Sequence, residues 1–158
     1  SEPGAGTRFE VYLPATTRSE PTDEDDAHAP TAATTLTGKV LVVEDQPLVR
    51  RVTSKMLDDA GFDVTSVADG GEAISLVEEA GPGTFDLVVS DVVMPHLGGE
   101  ETARRLALLD PDLKFLFVSG YADNDSLSVL SEVASEVLLK PYTAAQLLER
   151  VERVLDEG

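Results

Sequence analysis

Between Lys39 and Leu155, short and solidly apolar runs alternate with stretches whose apolar residues recur at helical spacing. No other feature limits the possible folds so strongly. Lys39–Val43 is the first apolar run, and Leu48, Val49, Val52, Met56 and Leu57 follow as a helical stripe closed by Ala60-Gly61. Phe62–Val67 reads as a strand. Ala73, Ile74, Leu76 and Val77 make a second stripe, ended by Gly81-Pro82-Gly83. Phe85–Ser90 and Leu113–Ser119 read as strands on either side of a helix over 99–109. A polar helix over Asn124–Val133 and a short strand, Val137–Leu139, come next. The last helix opens at Thr143, where Gln146 stands at capping-box spacing, and Leu147, Leu148, Val151, Val154 and Leu155 form its core stripe. Five strands alternating with five helices predict an α/β fold, a doubly wound parallel sheet. Three of the strands are apolar on consecutive residues, as a sheet covered on both faces requires.

The 158-residue length favours one domain with appendages. Residues 39–158 are that domain. Residues 15–38 are rich in Thr, Ala, Pro and acids and almost lack large apolar side chains, which predicts a disordered acidic linker. Residues 1–14 carry one strand pattern, with Phe9, Val11 and Leu13 on one side and Arg8, Glu10 and Tyr12 on the other. The absence of cysteine excludes a disulfide framework and a cysteine-based zinc site. It fits a reducing compartment, so the cytoplasm is the expected location. No apolar run approaches the roughly 20 residues of a membrane span. Twelve basic against thirty acidic residues give a net charge of -18, which repels nucleic acid and anionic lipid.

The residues that end the strands carry the chemistry. KVLVV runs into Glu44-Asp45, FDLVVS into Asp91, LKFLFV into Ser119 and EVLL into Lys140. In open parallel sheets the ligand crevice lies outside the carboxyl ends of the strands. Each residue alone has an ordinary explanation as a turn, a cap or a surface charge. Five of them at one sheet edge are a coherent set. Three close carboxylates repel one another unless a cation sits among them, and a hard oxygen-ligated ion such as Mg²⁺ suits them. Lys140 and Ser119 suit the oxygens of a phosphoryl group, and a central carboxylate suits the nucleophile that receives it.

The stretches VVEDQ, VVSDVVMP, FVSGYA and LLKPY, in that order, resemble the receiver domain of two-component response regulators, from Lys39 to about Leu155. The resemblance implies a flavodoxin-like sheet of strand order 2-1-3-4-5. It implies Asp91 as phospho-acceptor, Asp45 as a direct Mg²⁺ ligand, Glu44 acting through water and the Val93 carbonyl as a further ligand. Ser119 matches the switch hydroxyl and Lys140 the phosphate-pairing lysine, with a cis bond to Pro141. Some positions depart from the family pattern. Glu44 stands where Asp is frequent, Gly98 replaces a capping Asp, and Val137 replaces the switch aromatic, leaving Tyr121 and Tyr142 to substitute. Neither His28 nor His96 has the flanking pattern of a phospho-histidine.

SEPGAGTRFEVYLP resembles the C-terminal end of a histidine-kinase ATP-binding domain, through Gly4, Gly6, Thr7, Phe9–Leu13 and Pro14. A kinase end, a linker and a receiver together imply the C-terminal part of a hybrid sensor histidine kinase. The partner expected is a phospho-histidine donor, either the upstream kinase domain or a separate phosphotransfer protein. Pro47, Leu48 and Val49 are either its docking face or ordinary core. A haloacid-dehalogenase-like phosphatase would need an acid at position 93, where this chain has Val93. A pseudo-receiver would not need the complete set of Glu44, Asp45, Asp91, Ser119 and Lys140.

Overall fold

In the computed structural model, residues 37–120 and 136–156 are described. The expected strand over Phe9–Leu13, the linker as far as residue 36, the polar helix over Asn124–Val133 and Tyr121 lie outside them. Five strands form one sheet: β1 (Lys39–Val43), β2 (Asp63–Val67), β3 (Leu87–Asp91), β4 (Lys114–Ser119) and β5 (Glu136–Leu139). Among the described residues four helices accompany them: α1 (Pro47–Asp59), α2 (Gly70–Ala80), α3 (Gly99–Leu109) and α4 (Ala144–Asp156). All neighbouring strands are parallel and their order is β2-β1-β3-β4-β5, as the resemblance implied.

Alternation along the strands divides the core in two. Leu41, Val43, Val88, Phe115 and Phe117 point to the face covered by Ala73 and Val77 of α2 and by Ala103 and Leu106 of α3. Val40, Val42, Leu87, Val89, Leu116 and Val118 point to the other face, under Leu57 of α1 and Leu147, Val151 and Val154 of α4. Each large apolar side chain removed from water in this way contributes about 1.5–3 kcal/mol. Double coverage explains why β3 has no exposed residue.

Local sequence sets the helix ends. Pro47 opens α1, where its missing N–H costs nothing. Asp69 caps α2 by accepting from the Glu72 amide, and Gly81 closes it at φ 83°, a conformation glycine adopts without strain. Before α4, the Thr143 amide donates to Gln146 Oε1 at 2.9 Å and the Gln146 amide to Thr143 Oγ1 at 3.3 Å. This is the reciprocal box read from the sequence. Gly98 gives α3 no side-chain cap, yet the helix starts at Gly99 as expected. The Thr102 amide and hydroxyl both donate to the Gly98 carbonyl, which anchors the first turn.

The α1 stripe divides between core and surface. Leu57 is fully buried, but Leu48 is 74% exposed and Val52 44% exposed, while the polar Thr53 is buried. The buried face of α1 is rotated towards Thr53, and its apolar stripe continues out to the surface.

Candidate functional site at the carboxyl edge of the sheet

β1 ends at Val43, and the Glu44 amide still donates to the Val67 carbonyl of β2. Glu44 and Asp45 therefore leave the sheet at its carboxyl edge. Asp91 is the last residue of β3, one position beyond the strand end expected at Ser90, and pairs in register with Val118. Ser119 ends β4. The Lys140 amide donates to the Ser119 carbonyl at 2.7 Å, which ties the residue after β5 to the end of its neighbour. The Lys140-Pro141 peptide is cis.

These elements bring the expected carboxylates together. One oxygen from each of Glu44, Asp45 and Asp91 lies within 4.8 Å of the others. Lys140 Nζ donates to Glu44 Oε2 and to Asp91 Oδ2, each at 2.7 Å. Glu44, Asp91 and Ser119 are buried, and the Lys140 side chain retains 20% exposure. The Val93 amide donates to Asp91 Oδ1 at 3.0 Å, so both oxygens of Asp91 are held. Val93 itself is exposed.

Burial pushes the Glu44 carboxyl above its ordinary 4.5, and the Lys140 ammonium offsets only part of that cost because it is shared with Asp91. Burial also acts to lower the Lys140 pKa. Its hydrogen bonds to Asp91 and Glu44, with their charges, outweigh burial and raise it, so the ammonium form is held.

Three carboxylates against one ammonium leave excess negative charge. Asp45 Oδ1 is buried and has no hydrogen-bond partner. Such an oxygen carries the full cost of lost hydration. A small divalent cation among the three carboxylates would offset that cost, and an all-oxygen donor set fits Mg²⁺.

Three supporting features escaped the sequence reading. Arg50 Nη1 reaches back from α1 to the Glu44 carbonyl at 2.6 Å, bracing the turn that carries the acid pair. Gly99 packs so tightly that a Cβ there would lie 2.2 Å from the Asp91 carbonyl oxygen. Tyr142, a candidate substitute for the switch aromatic, bonds instead to Thr53 of α1, with 2.7 Å between the hydroxyl oxygens. Val137, in the switch position, packs against the α2–α3 side of the core. Only an arginine six residues after Glu44 and a glycine opening α3 were visible as signals, and neither spacing is distinctive.

Beside the site, Leu48, Val49, Val52, Thr53 and Met56 of α1 face Lys140, Pro141 and Tyr142 across an apolar groove of about 330 Å³. No helix among the described residues is long and apolar enough to cross a membrane.

Comparison with known proteins places this geometry. The family described as response regulator receiver domain matches residues 40–152. The sensor kinase CckA of Brucella abortus is 38% identical over 168 aligned residues, covering 99% of this chain and 17% of the kinase. The response regulator receiver protein CpdR of the same organism is 35% identical, covering 74% of this chain and 96% of that protein. Among solved structures, the chemotaxis protein CheY4 of Vibrio cholerae superposes with a TM-score of 0.68 at 30% identity, covering 75% of this chain and 99% of that one. The chain thus spans less than a fifth of the kinase and nearly the whole of the two small proteins.

Proposed function

From the premise that this chain belongs to the response regulator receiver domain family, we propose that it takes a phosphoryl group from a phospho-histidine onto Asp91, with Mg²⁺. The observation that carries the reading is the Asp91 carboxylate. It is buried, held by the Lys140 ammonium and the Val93 amide, and adjacent to an acid pair with one unsatisfied oxygen.

In the transfer, an Asp91 carboxylate oxygen forms the new bond to phosphorus. The bond from phosphorus to the imidazole nitrogen breaks, and that nitrogen leaves with the electron pair. Bound Mg²⁺ would neutralise charge on the phosphoryl oxygens. Asp45, Asp91 and the Val93 carbonyl would hold it directly and Glu44 through water. Lys140 needs to give up only its bonds to Glu44 and Asp91 to pair with a phosphoryl oxygen, and Ser119 would donate its hydroxyl to another. The protein contributes positioning and charge and no second covalent group.

We further read residues 1–14 as the end of a histidine-kinase ATP-binding domain, 15–38 as a linker and 39–158 as the receiver. The match to the Brucella abortus sensor kinase over nearly the whole chain supports a hybrid-kinase parent, and we assign the receiver to the cytoplasmic part of that parent. The phosphoryl donor would then be the kinase domain of the parent or a separate phosphotransfer protein. It would dock on the groove between α1 and Pro141-Tyr142, where Lys140 forms part of the wall.

Acetyl phosphate with Mg²⁺ tests the acceptor directly. Intact-mass measurement should find one added phosphoryl group on the wild type and none on Asp91→Asn, with both proteins equally folded. Equal uptake by the variant would move the acceptor elsewhere.

A further inference from the structure

The Thr53 and Tyr142 hydroxyls meet at 2.7 Å across 89 residues of sequence. Thr53 is 3% exposed in the middle of α1, and Tyr142 follows Lys140-Pro141 in the turn after β5. A buried threonine at this position of a core-facing helix surface requires a partner, and the tyrosine supplies it. The bond therefore joins α1 to the turn that presents Lys140.

The same two residues bound two spaces. On the outer side they line the apolar groove with Leu48, Val52 and Pro141. On the inner side they line a gap too small to admit water, whose other walls include Glu44 and Asp91. Among the described residues, no other lines both. Nothing fluid separates the hydroxyl pair from the carboxylates, so a shift of Tyr142 is passed on through packing and through the two peptide links to Lys140.

We propose that Thr53 and Tyr142 are positioning residues for phosphoryl transfer: their hydroxyl bond fixes the turn that aims Lys140 Nζ at Asp91. The proposal rests on Asp91 as acceptor. With phospho-histidine the step is the one already written. With acetyl phosphate an Asp91 oxygen likewise bonds to phosphorus, the bond from phosphorus to the acyl oxygen breaks, and acetate departs with the electron pair. Lys140 contributes charge only where its ammonium meets the phosphoryl oxygens, and a loosely held turn spreads that ammonium over several positions.

The test uses acetyl phosphate as donor on the full chain at saturating Mg²⁺, with Asp91 labelling followed by intact mass. Tyr142→Phe removes one hydroxyl and keeps the ring. It should lower the maximal labelling rate by about three- to tenfold, the effect of one neutral hydrogen bond. The half-saturating concentrations of donor and of Mg²⁺ should stay unchanged, because the groups that hold the metal are untouched. Thr53→Val should match this loss, Thr53→Ser should retain the wild-type rate, and the double variant should be no slower than either single one. A merely structural role would lower the melting temperature without this pattern. Wild-type labelling with an unchanged rate in Tyr142→Phe, or additive losses in the double variant, would overturn the positioning role. Failure of the wild type to label would instead overturn Asp91 as acceptor.

Discussion

Lys140 and Asp91 are 49 residues apart in sequence, and the ammonium of one donates to the carboxylate of the other at 2.7 Å. The same ammonium serves Glu44, so a single cation compensates two buried carboxylates. Lys140→Ala leaves both uncompensated. In metal-free buffer it should destabilise the fold by roughly 2–4 kcal/mol, as expected for a broken buried pair whose ammonium keeps some contact with water. Mg²⁺ should restore part of the loss by taking over the compensation. Urea unfolding with and without Mg²⁺ measures both quantities, and a loss unaffected by Mg²⁺ would argue against a cation site between these carboxylates.

Asp45 has the unsatisfied oxygen, whereas both oxygens of Glu44 accept hydrogen bonds, from Lys140 and from the Gln46 amide. Thermal stabilisation by Mg²⁺ should therefore be abolished in Asp45→Ala and only weakened in Glu44→Ala. Without metal, Asp45→Ala should melt no lower than wild type, since it removes a buried oxygen that has no donor. A full Mg²⁺ response in the Asp45 variant would rule out Asp45 as a direct ligand.

Gly99 has no room for a side chain. A Cβ would stand 2.2 Å from the Asp91 carbonyl and 3.0 Å from Ser90 Oγ, and the carbonyl is backbone that cannot swing aside. Gly99→Ala should cost about 1–3 kcal/mol by overpacking. It should also slow phosphoryl uptake, because the backbone that yields is that of Asp91, the proposed acceptor. Denaturation and acetyl phosphate labelling of the same preparation check the two effects, and an alanine variant as stable as wild type would contradict the packing.

The buried Glu44 carboxyl sets a pH dependence. Its folded pKa lies above the ordinary 4.5, so between the two values the folded state holds a proton that the unfolded chain has released. Stability from this group is complete below the lower value and is lost as pH rises through the higher one. Glu44→Gln keeps an acceptor for Lys140 and cannot ionise. In metal-free buffer, the stability of the variant relative to wild type should rise as pH increases from about 4.5 and level off above the folded pKa. A difference that does not change with pH would mean that burial does not penalise the charged carboxylate.

Much of this was readable because a parallel sheet converts sequence order into spatial order. Solid apolar runs such as Val40–Val43 can only be doubly covered strands, and the residues after them share one edge. Glu44, Asp45, Asp91, Ser119 and Lys140 were legible for that reason. Whether Leu48 belonged to a docking face or to the core stayed open, because helical periodicity marks an apolar stripe without saying whether core or a groove covers it; the structure puts it on the groove. The Thr53–Tyr142 bond was illegible because a threonine within an apolar stripe gives no sign of a phenol 89 residues away. Gly99 was visible as a glycine, but the close approach that requires it is a property of how α3 meets the end of β3.

Lys140 is carried by the residue after β5, at one margin of the sheet, while Glu44 is carried by the residue after β1, near its middle. The ribosome makes the acid pair first and the ammonium 96 residues later. A chain in which β1 to β4 had paired and β5 had not would hold Glu44 and Asp91 side by side without Lys140 to offset them. Docking of β5 and α4 both closes the sheet and discharges that imbalance. The lysine that compensates the acids thus arrives with β5, so a copy truncated before that strand should lose stability together with the contact of Lys140 to Asp91.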